Sequence, residues 1–167
     1  MFSGTIHYKQ EYIYDKQFVI FEQSPLWSNV EVGEVVSING VGLTLLSKGV
    51  NGSIFHVPQV NTNLPLRRVA NVERSFRVGK RNRVTGNVCG TATVRSIFER
   101  SDGVRSIWFD CPSISFTIRQ IIVLDGVLLP VNKIDTRGFM VTMVPSDWDP
   151  STFAECAVGD IVNVEIV

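Results

Sequence analysis

Short apolar runs broken by turn-forming residues recur along nearly the whole chain. Val36-Ser37-Ile38, Ile54-Phe55-His56-Val57, Thr91-Ala92-Thr93-Val94 and Phe139-Met140-Val141-Thr142-Met143-Val144 are rich in β-branched and aromatic residues. Runs of this length and type predict strands, because branched and flat side chains pack well on a pleated surface. Gly49-Val50-Asn51-Gly52, Ser101-Asp102-Gly103, Asp135-Thr136-Arg137-Gly138 and Gly159-Asp160 separate them as turns. Helical signal is sparse. Ser24-Pro25-Leu26-Trp27 and Pro150-Ser151-Thr152-Phe153 each place a proline where the first turn of a short helix accepts one.

The pattern occurs twice. Val-Gly-Glu-Val-Val-Ser-Ile-Asn-Gly-Val-Gly-Leu-Thr, from Val32 to Thr44, is matched by Ile-Ile-Val-Leu-Asp-Gly-Val-Leu-Leu-Pro, from Ile121 to Pro130. Asn39-Gly40 and Asp125-Gly126 are equivalent hairpin dipeptides between apolar runs. The halves open alike, with Phe2-Ser3-Gly4-Thr5-Ile6 against Val84-Thr85-Gly86-Asn87-Val88. They close alike, with Asn71-Val72-Glu73 against Asn163-Val164-Glu165. A period of roughly 85 residues is too long for a solenoid. It predicts an all-β chain of two tandem six-stranded Greek-key β-barrels, residues 1–82 and 83–167. A barrel of that size is filled by its own side chains, so a ligand would sit at a mouth or between barrels.

Composition narrows the functional classes. Formal net charge is +0, so no long-range field steers the chain to nucleic acid or an anionic membrane. Arg74 to Arg83 is a locally basic stretch, read as a solvated linker with a phosphate patch as the alternative. No run of 18 apolar residues and no apolar leader is present, and a cytoplasmic setting is expected. Cys89, Cys111 and Cys156 form no paired motif, and with only His7 and His56 no metal site is expected. Cys89 and Cys156 read as buried small apolar residues, and the three tryptophans as core or rim aromatics.

Several ordered motifs carry a family resemblance. The chain resembles riboflavin synthase and its non-catalytic relatives, the lumazine proteins. Met1-Phe2-Ser3-Gly4 is similar to that family's Met-Phe-Thr-Gly, and Asn39-Gly40-Val41-Gly42-Leu43-Thr44 to its Asn-Gly-Val-Cys-Leu-Thr. Val84 to Ala92 resembles the segment that opens its second barrel. Val144-Pro145 and Val162-Asn163-Val164-Glu165 resemble its Ile-Pro and Val-Asn-Ile-Glu. The resemblance spans essentially the whole chain. It implies two similar barrels, each able to hold one ribityl-substituted pterin or flavin. The synthase joins two molecules of 6,7-dimethyl-8-ribityllumazine between subunits of a trimer.

Departures from the synthase pattern bear on chemistry. The family's cysteine is Gly42 here, two family histidines align with Asn82 and Asn87, and a family lysine aligns with Arg119. Asparagine hydrogen-bonds but does not exchange a proton near neutrality as histidine does. The second-half motif Asp-Gly-Val-Ser-Leu-Thr becomes Asp125-Gly126-Val127-Leu128-Leu129-Pro130, losing two hydroxyls. Val84-Thr85-Gly86-Asn87-Val88 and Asp125 to Pro130 resemble the lumazine-protein versions instead. No counterpart of the synthase's trimerising C-terminal helix follows Val167, so a monomer is expected.

The resemblance implies ligand contacts at Gly42, Thr44, Pro58, Gln59, Val60, Thr62, Asn87 and Val88. It implies a second pocket at Ser146, Asp147, Ser151 and Thr152, which Leu128 and Pro130 would crowd. The resulting expectation is non-catalytic binding of 6,7-dimethyl-8-ribityllumazine, riboflavin or FMN, mainly in the N-terminal half. A divergent riboflavin synthase is one alternative. A barrel used only for protein interaction, both pockets filled by side chains, is another.

Overall fold

The computed structural model describes residues 4–7, 13–14, 17–20, 30–49, 52–56, 69–74 and 87–167. Within them the chain forms strands almost throughout, in two sheets that follow the sequence repeat. The N-terminal sheet contains β1 (Gly4–His7), β2 (Ile13–Tyr14), β3 (Gln17–Ile20), β4 (Val35–Ile38), β5 (Val41–Gly49), β6 (Gly52–His56) and β7 (Val69–Arg74). The C-terminal sheet contains β8 (Gly90–Glu99), β9 (Arg105–Asp110), β10 (Ile121–Leu124), β11 (Val127–Pro130), β12 (Lys133–Ile134), β13 (Gly138–Met143) and β14 (Ile161–Ile166). A one-turn helix α1 (Pro145–Trp148) and a 3-10 turn (Thr152–Ala154) lie between β13 and β14. The helical turn expected from Pro150 thus begins two residues later, and α1 was not foreseen.

Two closed six-stranded barrels are not what the chain builds. Each sheet has seven strands in a linear, open order: β1-β7-β4-β5-β6-β3-β2 and β11-β10-β14-β8-β9-β13-β12. For the second sheet a reason is visible where the strand after the repeated turn changes partners. In the first half, β5 runs unbroken from β4 to β6 and bends at an irregularity between Leu45 and Ser47. In the second half the corresponding strand breaks after Pro130, which has no N–H to give a ladder. Val131 N then bonds to Gln120 O and Asn132 N to Met140 O, so the chain leaves β10 and joins β13 across a gap. That gap separates β11 from β12 and leaves the sheet open. The boundary expected between residues 82 and 83 lies outside the described residues.

Alternation sorts each strand into an inner and an outer face. In the first half Val36, Ile38, Val41, Leu43, Leu45 and Phe55 point inward and are fully buried. In the second half Ala92, Val94, Ile107, Phe109, Ile122, Leu124, Leu129, Phe139, Val141, Val162 and Val164 build the matching core. Phe139 stacks on Phe109 with ring centroids 5.1 Å apart. Among the described residues both interiors are lined by apolar side chains.

The repeated dipeptides join the two sheets. Asn39 and Gly40 have φ of 47° and 78°, and Asp125 and Gly126 have 46° and 85°, so both hairpins are tight turns with two left-handed residues. These turns pack back to back: a Cβ on Gly40 would lie 3.0 Å from the Gly126 nitrogen. Around them runs a near-twofold set of buried hydrogen bonds. Asn71 N donates to Asn39 Oδ1 and Asn163 N to Asp125 Oδ1, each at 2.7 Å. Asn71 Nδ2 reaches across to Asp125 O (2.8 Å), and Asn163 Nδ2 to Asn39 O (2.9 Å). Asn71 also bonds Thr152, through Nδ2 to Oγ1 (2.9 Å) and from Thr152 N to Oδ1 (2.8 Å).

Candidate functional site

The strand register places the first-half candidates on the outer face of the β4–β5 ribbon. Directly opposed residues in an antiparallel pair share a face. Ser37 opposes Gly42, and Val35 opposes Thr44, which also opposes His56 on β6. Gly42 is buried, and Thr44 and His56 are half-buried. Gly42 and Thr44 therefore line one outer surface, beside the joint between the sheets. Pro58, Gln59, Val60 and Thr62 lie outside the described residues. Asn87 is exposed and Val88 half-buried, immediately ahead of β8, whose neighbouring Cys89 N bonds to Val164 O on β14.

The same surface exists in the second half, with different side chains. Val123 opposes Leu128, and Ile121 opposes Pro130. Position by position, Ser37 is replaced by Val123, Gly42 by Leu128 and Thr44 by Pro130. The first surface has a hydroxyl, a bare backbone and a second hydroxyl. The second has three apolar side chains, and it offers a ribityl chain no hydroxyl partner.

The second-pocket candidates are divided between surface and structure. Ser146 and Asp147 are exposed on α1. Ser151 is buried and caps the 3-10 turn: its Oγ accepts from Phe153 N (3.2 Å) and donates to Trp148 O (2.9 Å). Thr152 holds Asn71, as described above.

Ser37 was not among the sequence candidates. It is 1% exposed, and its Oγ has no hydrogen-bond partner among the described residues. The signal that could have found it is the repeat itself, which puts a serine where the other copy has a valine.

Burial shifts the titratable groups near the joint. Burial pushes the Asp125 carboxyl up to about 8, opposed by hydrogen bonds from Asn163 and reinforced by the charge of Asp160. Burial pushes the Cys156 thiol up to about 12, and it raises Cys111 as well, so neither is a ready nucleophile. Cys89 is exposed rather than buried, because it faces outward in step with Thr91 and Thr93. Among the described residues no three His, Cys, Asp or Glu side chains converge to hold a metal ion. No helix among them is long and apolar enough to cross a membrane. Trp148 sits at the rim, donating from Nε1 to Gly103 O (2.9 Å) with the Arg105 guanidinium 3.5 Å from its ring centroid.

Known proteins resemble this chain in sequence and in fold. Residues 85–167 match the lumazine binding domain family. A riboflavin synthase from Buchnera aphidicola is 26% identical over 156 residues, covering 86% of this chain and 74% of its own length. A blue fluorescence protein from Aliivibrio fischeri is 28% identical over 159 residues, covering 89% and 76%. Among solved structures, LumP in complex with 6,7-dimethyl-8-(1'-D-ribityl) lumazine superposes with a TM-score of 0.85 at 22% identity, over 100% of this chain and 97% of LumP. LumP in complex with riboflavin gives 0.82 at 22% identity, over 99% and 97%.

Proposed function

We propose that the chain is a member of the lumazine-binding, riboflavin synthase-like family and that it binds a ribityl-substituted lumazine or flavin without converting it. The ligand class is 6,7-dimethyl-8-ribityllumazine, riboflavin or FMN, as in the LumP complexes. One observation carries the placement: the outer face of β4–β5 is small and polar at Ser37, Gly42 and Thr44, whereas its counterpart is apolar at Val123, Leu128 and Pro130. One ligand per chain, on the N-terminal half, follows from that asymmetry.

Gly42 lets a flat ring approach the strand closely, and Thr44 offers a donor and an acceptor beside it. Pro58, Gln59, Val60 and Thr62 complete the site in this reading, with Asn87 and Val88 meeting the ring edge from the start of the second half. The residues that would move protons in a synthase are absent from it: the cysteine position is Gly42 and a histidine position is Asn87. Ser146, Asp147, Ser151 and Thr152 form no second ligand site here, since Ser151 and Thr152 already spend their polar groups on structure. One chromophore per chain is the form proposed.

Equilibrium dialysis against each of the three ligands tests the proposal. Saturation at one ligand per chain is expected. Failure to bind all three would sink it.

A further inference from the structure

We infer that Ser37 is a further ligand-binding residue of the N-terminal site, its hydroxyl hydrogen-bonding a polar atom of the bound ribityl compound. The inference rests on the ligand-binding reading and adds to it a residue that the motif resemblance does not point to.

Ser37 is 1% exposed, yet its Oγ has no partner among the described residues. A buried hydroxyl without a hydrogen bond is unfavourable, so folding alone does not favour it. The neighbouring buried amides behave differently. Asn39 and Asn71 both have bonded partners within the joint. Strand pairing does not require the hydroxyl either, because Val123 holds the equivalent place in the second half with the same hairpin register. What differs is the cross-strand neighbour. Val123 faces Leu128, a side chain that can cover it, and Ser37 faces Gly42, which has none. The unpartnered hydroxyl therefore adjoins a position that carries no side chain, with Thr44 two residues further along β5. A partner brought in by a ligand seated over Gly42 satisfies Ser37 at the moment of binding. It then contributes affinity that the apo protein does not use for stability.

Two variants test this, Ser37→Ala and Ser37→Val, the second reproducing the other half of the chain. Riboflavin affinity is read by fluorescence quenching, and apo stability by thermal unfolding of the same preparations. Both variants should raise the Kd for riboflavin about five- to tenfold, the worth of one hydrogen bond. Their apo Tm should equal or exceed that of the wild type. Alanine adds no bulk, so its loss of affinity cannot be steric. Wild-type Kd in Ser37→Ala would overturn the inference, showing that a water or nothing pairs with the hydroxyl. A Tm several degrees lower in the apo protein would overturn it too, by assigning Ser37 a structural role. Absence of riboflavin, lumazine and FMN binding in the wild type would instead remove the functional reading beneath it.

Discussion

Asp125 and Asn39 occupy matching positions in the two repeats, and they show what one atom does in a buried joint. Each uses its side-chain oxygen to accept a backbone N–H at 2.7 Å. Asn39 does so as a neutral amide, whereas Asp125 must either hold a proton or bury a charge. Its carboxyl is raised from the ordinary 3.8 to about 8, so the folded state keeps the proton that the unfolded chain releases. Stability is then greatest below about pH 4 as far as this group is concerned, and falls as the pH climbs toward 8. Asp125→Asn, which copies Asn39, removes that slope. Its Tm should match the wild type near pH 4 and exceed it at pH 8, a difference on the order of a few kcal/mol. Thermal melts across this range check it, and a parallel loss of stability in both proteins would refute the assignment to Asp125. Which dipeptides form the turns was legible in the sequence. That they face each other was not, since nothing in the spacing of Asn39-Gly40 and Asp125-Gly126 says that two turns 86 residues apart will touch.

Strand by strand, the sequence pattern anticipated most of what forms. β4, β6, β8 and β13 fall on the runs that alternation and β-branching single out, and the turns between them fall on the Gly and Asp strings. The number of strands per sheet and their closure were misjudged. In the second sheet one break in the strand order falls at a single residue. β5 passes the corner with a bend, while its counterpart stops at Pro130 and resumes at Lys133. Gly138 marks a dependence on another single residue. It opens β13 against Phe109, and a Cβ there would collide with the Phe109 carbonyl. Backbone cannot yield as a flexible side chain does. Gly138→Ala should therefore cost roughly 2–4 kcal/mol despite the small change, measurable by urea denaturation. A cost below half a kcal/mol would show that β13 shifts freely. At the candidate site, Gly42→Leu imports the Leu128 side chain onto β5. Loss of ligand binding, with retention of the fold by circular dichroism, is the expected result.

For the whole molecule, the joint makes the two halves one unit. Asn71 belongs to the first sheet, but its amide is bonded to Asp125 and Thr152 of the second. Asn163 returns the gesture toward Asn39. Truncating Asn71 to alanine strands several buried partners at once, and about 2–5 kcal/mol should be lost. Unfolding followed by a probe in each half should remain a single coincident transition in the wild type; two separated transitions would show the sheets to be independent. The duplication itself was legible from the repeated motifs. The proposed division of labour was only partly legible: Leu128 and Pro130 could be read as crowding a second pocket, but Ser37 acquired meaning only once the register set it opposite Gly42. In the proposed reading the first half binds through Ser37, Gly42 and Thr44, while the second carries Val123 and the exposed Leu128 and Pro130 at the equivalent places. Absorption and polarised emission of the purified protein, followed for hours after addition of 6,7-dimethyl-8-ribityllumazine, test that reading most directly. Saturation at one lumazine per chain, with shifted, polarised emission and no new chromophore, is the predicted result. Appearance of riboflavin would contradict it, because turnover would then proceed without the groups that Gly42 and Asn87 replace.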